Sequence, residues 1–166
     1  GCGFCNSQSF LAESITEKKL LMTEREGIVL SKGKTRVVQL SAQELGQLVL
    51  HYVNKYGAKG FLFSDDDFLV GSKRGLDRVK EFCNIILDYK KTGQIPMETR
   101  FSSQTRVADF LIGKNKTVNR ELMQLMRNTG WLSCSLGIET FSDKMFKVPC
   151  INKVGINSMD CKVVTD

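Results

Sequence analysis

Apolar and polar residues alternate along this chain with two periods, and the periods take turns. In "SAQELGQLVLHYVNKYG", Leu45, Leu48, Val49, Tyr52, Val53 and Tyr56 fall three or four residues apart, the spacing of one helix face. Ser41 and Glu44 form a capping-box pattern at its start, and Gly57 is placed to end it. "GFLFSD" then switches to the two-residue period of a strand. "GLDRVKEFCNIILDYKK" predicts a second helix, with Leu76, Val79, Phe82, Cys83 and Ile86 inward. "PMETRFSS" predicts a strand and "TVNRELMQLMRNTG" a helix on Val118, Leu122, Leu125 and Met126, closed by Gly130. "WLSCSLGIETF" predicts the next strand.

These strands recur about every 35 residues, the length of a strand–helix–strand crossover. That predicts a parallel α/β sheet, open or curled into a barrel. "GIVLSKGKTRVVQL" differs and reads as a hairpin around Lys32 and Gly33, within a long insertion ahead of the first clear helix.

The strand faces carry the first functional hint. Phe61 and Phe63 share one side of their strand, and Leu62, Ser64 and Asp66 the other. Glu98 and Arg100 share a face opposite Met97, Thr99 and Phe101. In the third strand Leu132, Cys134, Leu136 and Ile138 oppose Ser133, Ser135, Gly137 and Glu139. One face is apolar and the other partly polar, whereas a doubly wound sheet is apolar on both. A barrel or half-barrel with a ligand in its mouth fits better. Asp65, Asp66 and Asp67 follow one strand and Glu139 ends another, at the edge where parallel α/β folds bind ligands. A single Asp there is equally well a solvated turn that caps the next helix. The set, with Arg100 and Glu139, marks a candidate site.

Composition narrows the class. The 166 residues are 42% hydrophobic and 25% charged, which suits one globular domain or most of one. No apolar run approaches the roughly 20 residues of a membrane span, and no secretory signal is visible. The net charge of +6 is compatible with an anionic partner such as nucleic acid. Lys and Arg are dispersed among acids, however, which favours a plain solvated surface. Six cysteines without a secretory signal point to reduced thiols or metal ligands. Cys83 and Cys134 fall on apolar faces, as small hydrophobes do. Cys150 and Cys161 fall in a weakly patterned tail.

Cys2 and Cys5, in "GCGFC", are open to three readings: half of a zinc site, a redox pair, or part of a cluster motif. A structural zinc site needs four ligands, and no second C-x-x-C exists. A thioredoxin-like pair sits between a strand and a helix, and no strand precedes this one within the chain. The single histidine, His51, lies on a helix flank and is a poor triad base. No phosphate-loop motif is complete.

Taken in order, these residues resemble the radical S-adenosylmethionine superfamily, in the branch often fused to a cobalamin-binding domain. That branch carries C-x-x-x-C-x-x-C with an aromatic before the last cysteine. Cys2, Phe4 and Cys5 match its second and third cysteines and that aromatic. "FLFSDDDF" matches F-x-D-D-x-F through Phe63, Asp65, Asp66 and Phe68, and "SLGIETFSD" matches the branch's G-I-E strand. The resemblance implies a TIM-like three-quarter β/α barrel, here partial and truncated at both ends. Residues 1–40 would be the cluster loop with its hairpin insertion, 41–146 the alternating helices and strands, and 147–166 a frayed tail. It implies a 4Fe-4S cluster on Cys2, Cys5 and a third cysteine outside this chain, with one iron left open to S-adenosylmethionine. Phe4, Asp65, Asp66, Arg100 and Glu139 become the cofactor-binding candidates. Also implied are a cytoplasmic location, a reductant such as flavodoxin or ferredoxin, and radical or cobalamin-linked methyl-transfer chemistry on an unread substrate. The alternatives are a non-catalytic iron-sulfur or zinc module and a nucleic-acid-modifying domain of the same superfamily.

Overall fold

The computed structural model describes residues 40–65, 67–148 and 155–165. Leu40–Asp143 and Gly155–Asp166 form one compact unit. Its elements run α1 (Ala42–Tyr56), β1 (Gly60–Phe63), α2 (Lys73–Lys91), β2 (Arg100–Thr105), a 3-10 turn (Val107–Phe110), β3 (Leu111–Ile112), β4 (Thr117–Val118), α3 (Arg120–Thr129) and β5 (Trp131–Leu136). Helix α4 (Asp143–Phe146) and helix α5 (Ser158–Thr165) follow. The described part of the second unit, Lys144–Val148, holds most of α4 and a turn closed by the Lys147 N–H on the Lys144 carbonyl.

The main sheet has the order β1-β2-β5 and every pairing in it is parallel. β3 and β4 form a separate antiparallel hairpin that the hydrophobic pattern did not announce. Among the described residues the sheet stays open, with no closure into a barrel. The predicted hairpin around Lys32 and Gly33 lies outside the described residues.

The helices start and stop where their end residues dictate. The Ser41 hydroxyl accepts the Glu44 N–H at 3.2 Å, and the Glu44 carboxylate accepts the Ser41 N–H at 2.7 Å. The Asn119 side chain accepts the Leu122 N–H and so opens α3. Gly57 and Gly130 end α1 and α3 in left-handed backbone, at φ 64° and 108°. The buried stripe of α1 is narrower than the heptad-like spacing suggests. Ala42, Leu45, Gly46, Val49 and Val53 are buried, whereas Leu48, Tyr52 and Tyr56 are exposed. The close approach of α2 accounts for this: a Cβ on Gly46 would stand 2.7 Å from Ile85 Cγ2. The helix turns Gly46 toward its neighbour, and the tyrosines swing out.

The core is an aromatic layer between the helices and one face of the sheet. Phe82 of α2 meets Phe63 of β1, Phe101 of β2 and Trp131 of β5 edge-on, with centroids 5.6, 5.7 and 5.9 Å apart. Phe68 stacks on Phe63 at 4.5 Å. The Trp131 indole N–H donates to Ser103 Oγ at 3.2 Å, so the buried polar end of the ring is satisfied.

Trp131 is a correction to the strand reading. Simple alternation puts Leu132 with Cys134 and Leu136 on the buried face. The register between β2 and β5 shifts between Phe101 and Ser102: Phe101 pairs with Trp131, but Ser102 pairs with Ser133. Leu132 is the extra residue of this bulge and is 70% exposed. Trp131 takes the core position instead. The strand "PMETRFSS" also starts later than expected. Glu98 lies in the preceding turn, where it pairs with Lys59 at 3.3 Å.

One buried cation finishes the bottom of the sheet. Lys90 Nζ donates to the carbonyls of Met97, Thr99 and Thr129 at 3.1, 2.9 and 2.7 Å. All three ammonium hydrogens are used, and the end of α3 is tied to the start of β2. Two substitutions separate the aromatic layer from the bulge. Phe82→Ala and Trp131→Ala should each cost about 3–5 kcal/mol of unfolding free energy in urea titrations. Leu132→Ser should shift it by less than about 0.5 kcal/mol. Equal losses at Trp131 and Leu132 would show the register to be wrong.

Candidate functional site

Among the described residues the helices cover only one face of the sheet. On the other, Leu62, Ser102 and Ser133 form one row across the three strands, and Gln104 and Ser135 begin the next. Leu62, Gln104, Ser133 and Ser135 are exposed. Ser133 Oγ donates to Ser102 Oγ at 3.1 Å. This face is hydroxyl- and amide-bearing and uncharged beyond Arg100.

At the C-terminal edge the charges converge. Asp67, in the loop after β1, accepts from Thr105 Oγ1 (3.2 Å), from the Val70 N–H (3.1 Å) and from Arg106 Nε (2.8 Å). Asp109, in the 3-10 turn, accepts from the Gly71 N–H, from Thr105 Oγ1 and from the backbone and guanidinium of Arg106, all at 2.9–3.2 Å. Asp109 is 2% exposed. Burial, and then the neighbouring Asp109, push the Asp67 carboxyl up to about 6, against the pull of Arg106 and the Val70 amide. A raised carboxyl of this kind binds its proton more tightly in the folded chain.

The sequence-predicted residues are spread unequally over this frame. Asp65 is exposed just past β1, and its charge acts on Arg78. Arg78 in turn donates to the carbonyls of Leu40 and Phe68 and lies over the Phe68 ring at 4.9 Å. Glu139 is exposed, three residues past the end of β5, with φ 57°. A left-handed backbone is uncommon for Glu and sets the direction of the chain there. Arg100 is at the other end: it opens β2, and its Nη1 donates to the carbonyls of Met97 and Thr99 at 2.9 and 3.3 Å. A six-residue strand puts it about 17 Å from the C-terminal edge. The cation at that edge is Arg106. Cys2, Phe4, Cys5 and Asp66 lie outside the described residues. The sequence reading also missed Asp109 and Thr105, for which the only local signal is the three-residue spacing of Arg106 and Asp109.

Cys150 also lies outside the described residues, and the described cysteines, Cys83, Cys134 and Cys161, are buried or half-buried. Cys83 is fully buried, and burial raises its thiol to about 11. Cys134 is half-buried, with its thiol also raised by burial and its sulfur 3.6 Å from Ser103 Oγ. Cys161 is buried in α5. Cys134 also lines a groove of about 780 Å³ between α3, β5 and α5, walled by Met123, Met126, Leu132 and Val164. Among the described residues no three His, Cys, Asp or Glu side chains gather as a metal site. No described helix is long and apolar enough to cross a membrane.

No protein-family profile matches the chain, and no curated protein matches it. A solved structure does: the apo, selenomethionine-labelled form of OxsB, a cobalamin-dependent S-adenosylmethionine radical enzyme. The TM-score is 0.61 at 15% identity, over 81% of this chain and 19% of that one. At this identity the likeness is one of fold: an α/β arrangement similar to that of a radical S-adenosylmethionine enzyme, in a chain that spans about a fifth of the matched protein.

The loop after β1 can be probed through its glycine. A Cβ on Gly71 would fall on Asp109 Oδ1, well inside contact distance, while one on Gly60 meets nothing within 4 Å. Gly71→Ala should therefore lower stability by about 1–3 kcal/mol through the displaced carboxylate. Gly60→Ala should be within about 0.5 kcal/mol of the parent. Chemical denaturation of both variants checks the contrast.

Proposed function

We propose that this chain is part of the catalytic core of a radical S-adenosylmethionine enzyme. The observation that carries the reading is a coincidence of two independent features. The "GCGFC" spacing suits two ligands of a 4Fe-4S cluster, and the described fold is similar to that of a cobalamin-dependent enzyme of this chemistry. In this reading Cys2 and Cys5 would ligate two of the irons, with Phe4, which precedes Cys5 in the sequence, as a cofactor-side candidate. The bound cluster would supply the electron that splits the sulfonium of S-adenosylmethionine.

The chain's own polar side chains would suit the cofactor at the C-terminal edge. The exposed Asp65 carboxylate, with Asp66 next in the sequence, would suit an ammonium group. The uncharged face of Ser102, Gln104, Ser133 and Ser135 suits a ribose or an adenine edge, which bond through neutral donors and acceptors. Glu139 follows three residues after β5, past the same ends of the strands. Arg100 does not share that edge, and a carboxylate-binding role there fits its position poorly.

The test is reconstitution. A chain given a Cys-Ala-Ala graft ahead of Gly1 has all three motif cysteines. With iron and sulfide under anaerobic conditions it should take up about four irons and turn brown. Cys2→Ala or Cys5→Ala should abolish uptake. In the loaded protein Asp65→Ala or Asp66→Ala should weaken S-adenosylmethionine binding about tenfold, the scale of one charge-assisted hydrogen bond. Stoichiometric zinc with no iron uptake would discard the proposal in favour of a zinc module.

A further inference from the structure

We propose that Asp109 is a positioning residue that holds the loop after β1 against the end of β2, and that this hold tightens as pH falls. The hold stands on geometry. Asp109 fixes the Gly71 end of the loop through the Gly71 N–H at 2.9 Å. Asp67 fixes the other end through Thr105 and Arg106. Arg106 bridges the two carboxylates, with Nε 2.8 Å from Asp67 Oδ2 and 3.2 Å from Asp109 Oδ2. The Asp67–Gly71 segment of the loop is thus pinned at one end to Thr105 and Arg106 and at the other to the buried Asp109 carboxylate. Its importance for a ligand rests on reading the C-terminal edge as the cofactor edge; the hold itself does not.

The pH sense follows from counting hydrogens. Thr105 O–H and Arg106 Nε–H carry one hydrogen each, and each lies within reach of oxygens of both carboxylates. With Asp67 and Asp109 both ionised, two acceptors compete for single donors at close range. A proton on Asp67 removes one negative charge and adds the missing donor. The groups acting on Asp67 agree in direction: burial and Asp109 raise its carboxyl to about 6, opposed by Arg106 and the Val70 amide. The folded carboxyl is raised above its unfolded value of 3.8. The gain is therefore largest below that value and is lost as pH rises through about 6.

Amide hydrogen exchange reads this without any cofactor. In the 166-residue chain, protection factors of the Val70 and Gly71 amides are measured by NMR from pH 4.5 to 7.5, corrected for intrinsic rates. Protection at the low end should exceed that at the high end by at least about fivefold, within a ceiling near 100-fold set by two pH units. Asp67→Asn should abolish the pH dependence. Asp109→Asn should cut protection at both amides about tenfold at every pH while the amides of Val79 and Leu122 keep theirs. Flat wild-type protection, or a pH dependence surviving in Asp67→Asn, overturns the proposal. Should Asp109→Asn lose the core protection too, Arg106→Gln must loosen the same two amides alone, or the hold is refuted. S-adenosylmethionine titrated into the grafted, iron-loaded protein separates the two ideas. If the exchange results hold and no binding occurs, the cofactor reading fails and the positioning role stands.

Discussion

A single phenyl ring organises this fold. That ring belongs to Phe82 of α2. It stands edge-on to one ring from each of the three strands, at interplanar angles of 85–86°. Edge-to-face contact puts the positive rim of one ring against the negative face of another, so the arrangement prefers one depth and one tilt for α2. The strands must then offer their aromatics at matching heights, and the bulge in β5 is what lifts Trp131 into that plane. Because the aromatic payload is concentrated on one side, the opposite side of the sheet is free to be small and polar.

The two edges of the sheet are solved with opposite charges. At the start of β2 the structure has too many carbonyls, and Lys90 answers all three with one ammonium. At the end of β2 it has backbone amides and an arginine to satisfy, and two aspartates answer them. The first device is buried and isolated from the open face. The second sits beside it, with Arg106 57% exposed. The two devices thus sit at opposite ends of the same strands, and the second is at the C-terminal edge, where parallel α/β folds generally bind ligands.

Helix ends were legible where they are written locally, as Ser41 with Glu44, Gly57 and Gly130 are; the start of α3 was not, because Val118, read as part of that helix, pairs in β4 and Asn119 is the cap. The parallel order of strands followed from their even spacing. The bulge was not legible, since Trp131 and Leu132 are both large and apolar and only the register with β2 decides between them. The tyrosines of α1 misled for a related reason: an apolar body with a polar tip packs or swings out according to the neighbouring helix, here set by Gly46 and Ile85. At the candidate site, Asp65 was legible as the end of a strand. The Asp67–Thr105 and Gly71–Asp109 bonds join residues 38 apart, and no local pattern encodes them. Arg100 drew attention because strand alternation fixes the face of a side chain and says nothing about which end of the strand matters.

Trp131 is the only tryptophan of the chain. It lies where strand, bulge and helix meet, buried among phenylalanines and hydrogen-bonded to Ser103 Oγ, with Cys134 on the same serine. Its fluorescence is therefore a site-specific gauge of this junction. Emission at short wavelength reports a dry, intact aromatic layer, and a red shift reports water reaching the boundary between β5 and α2.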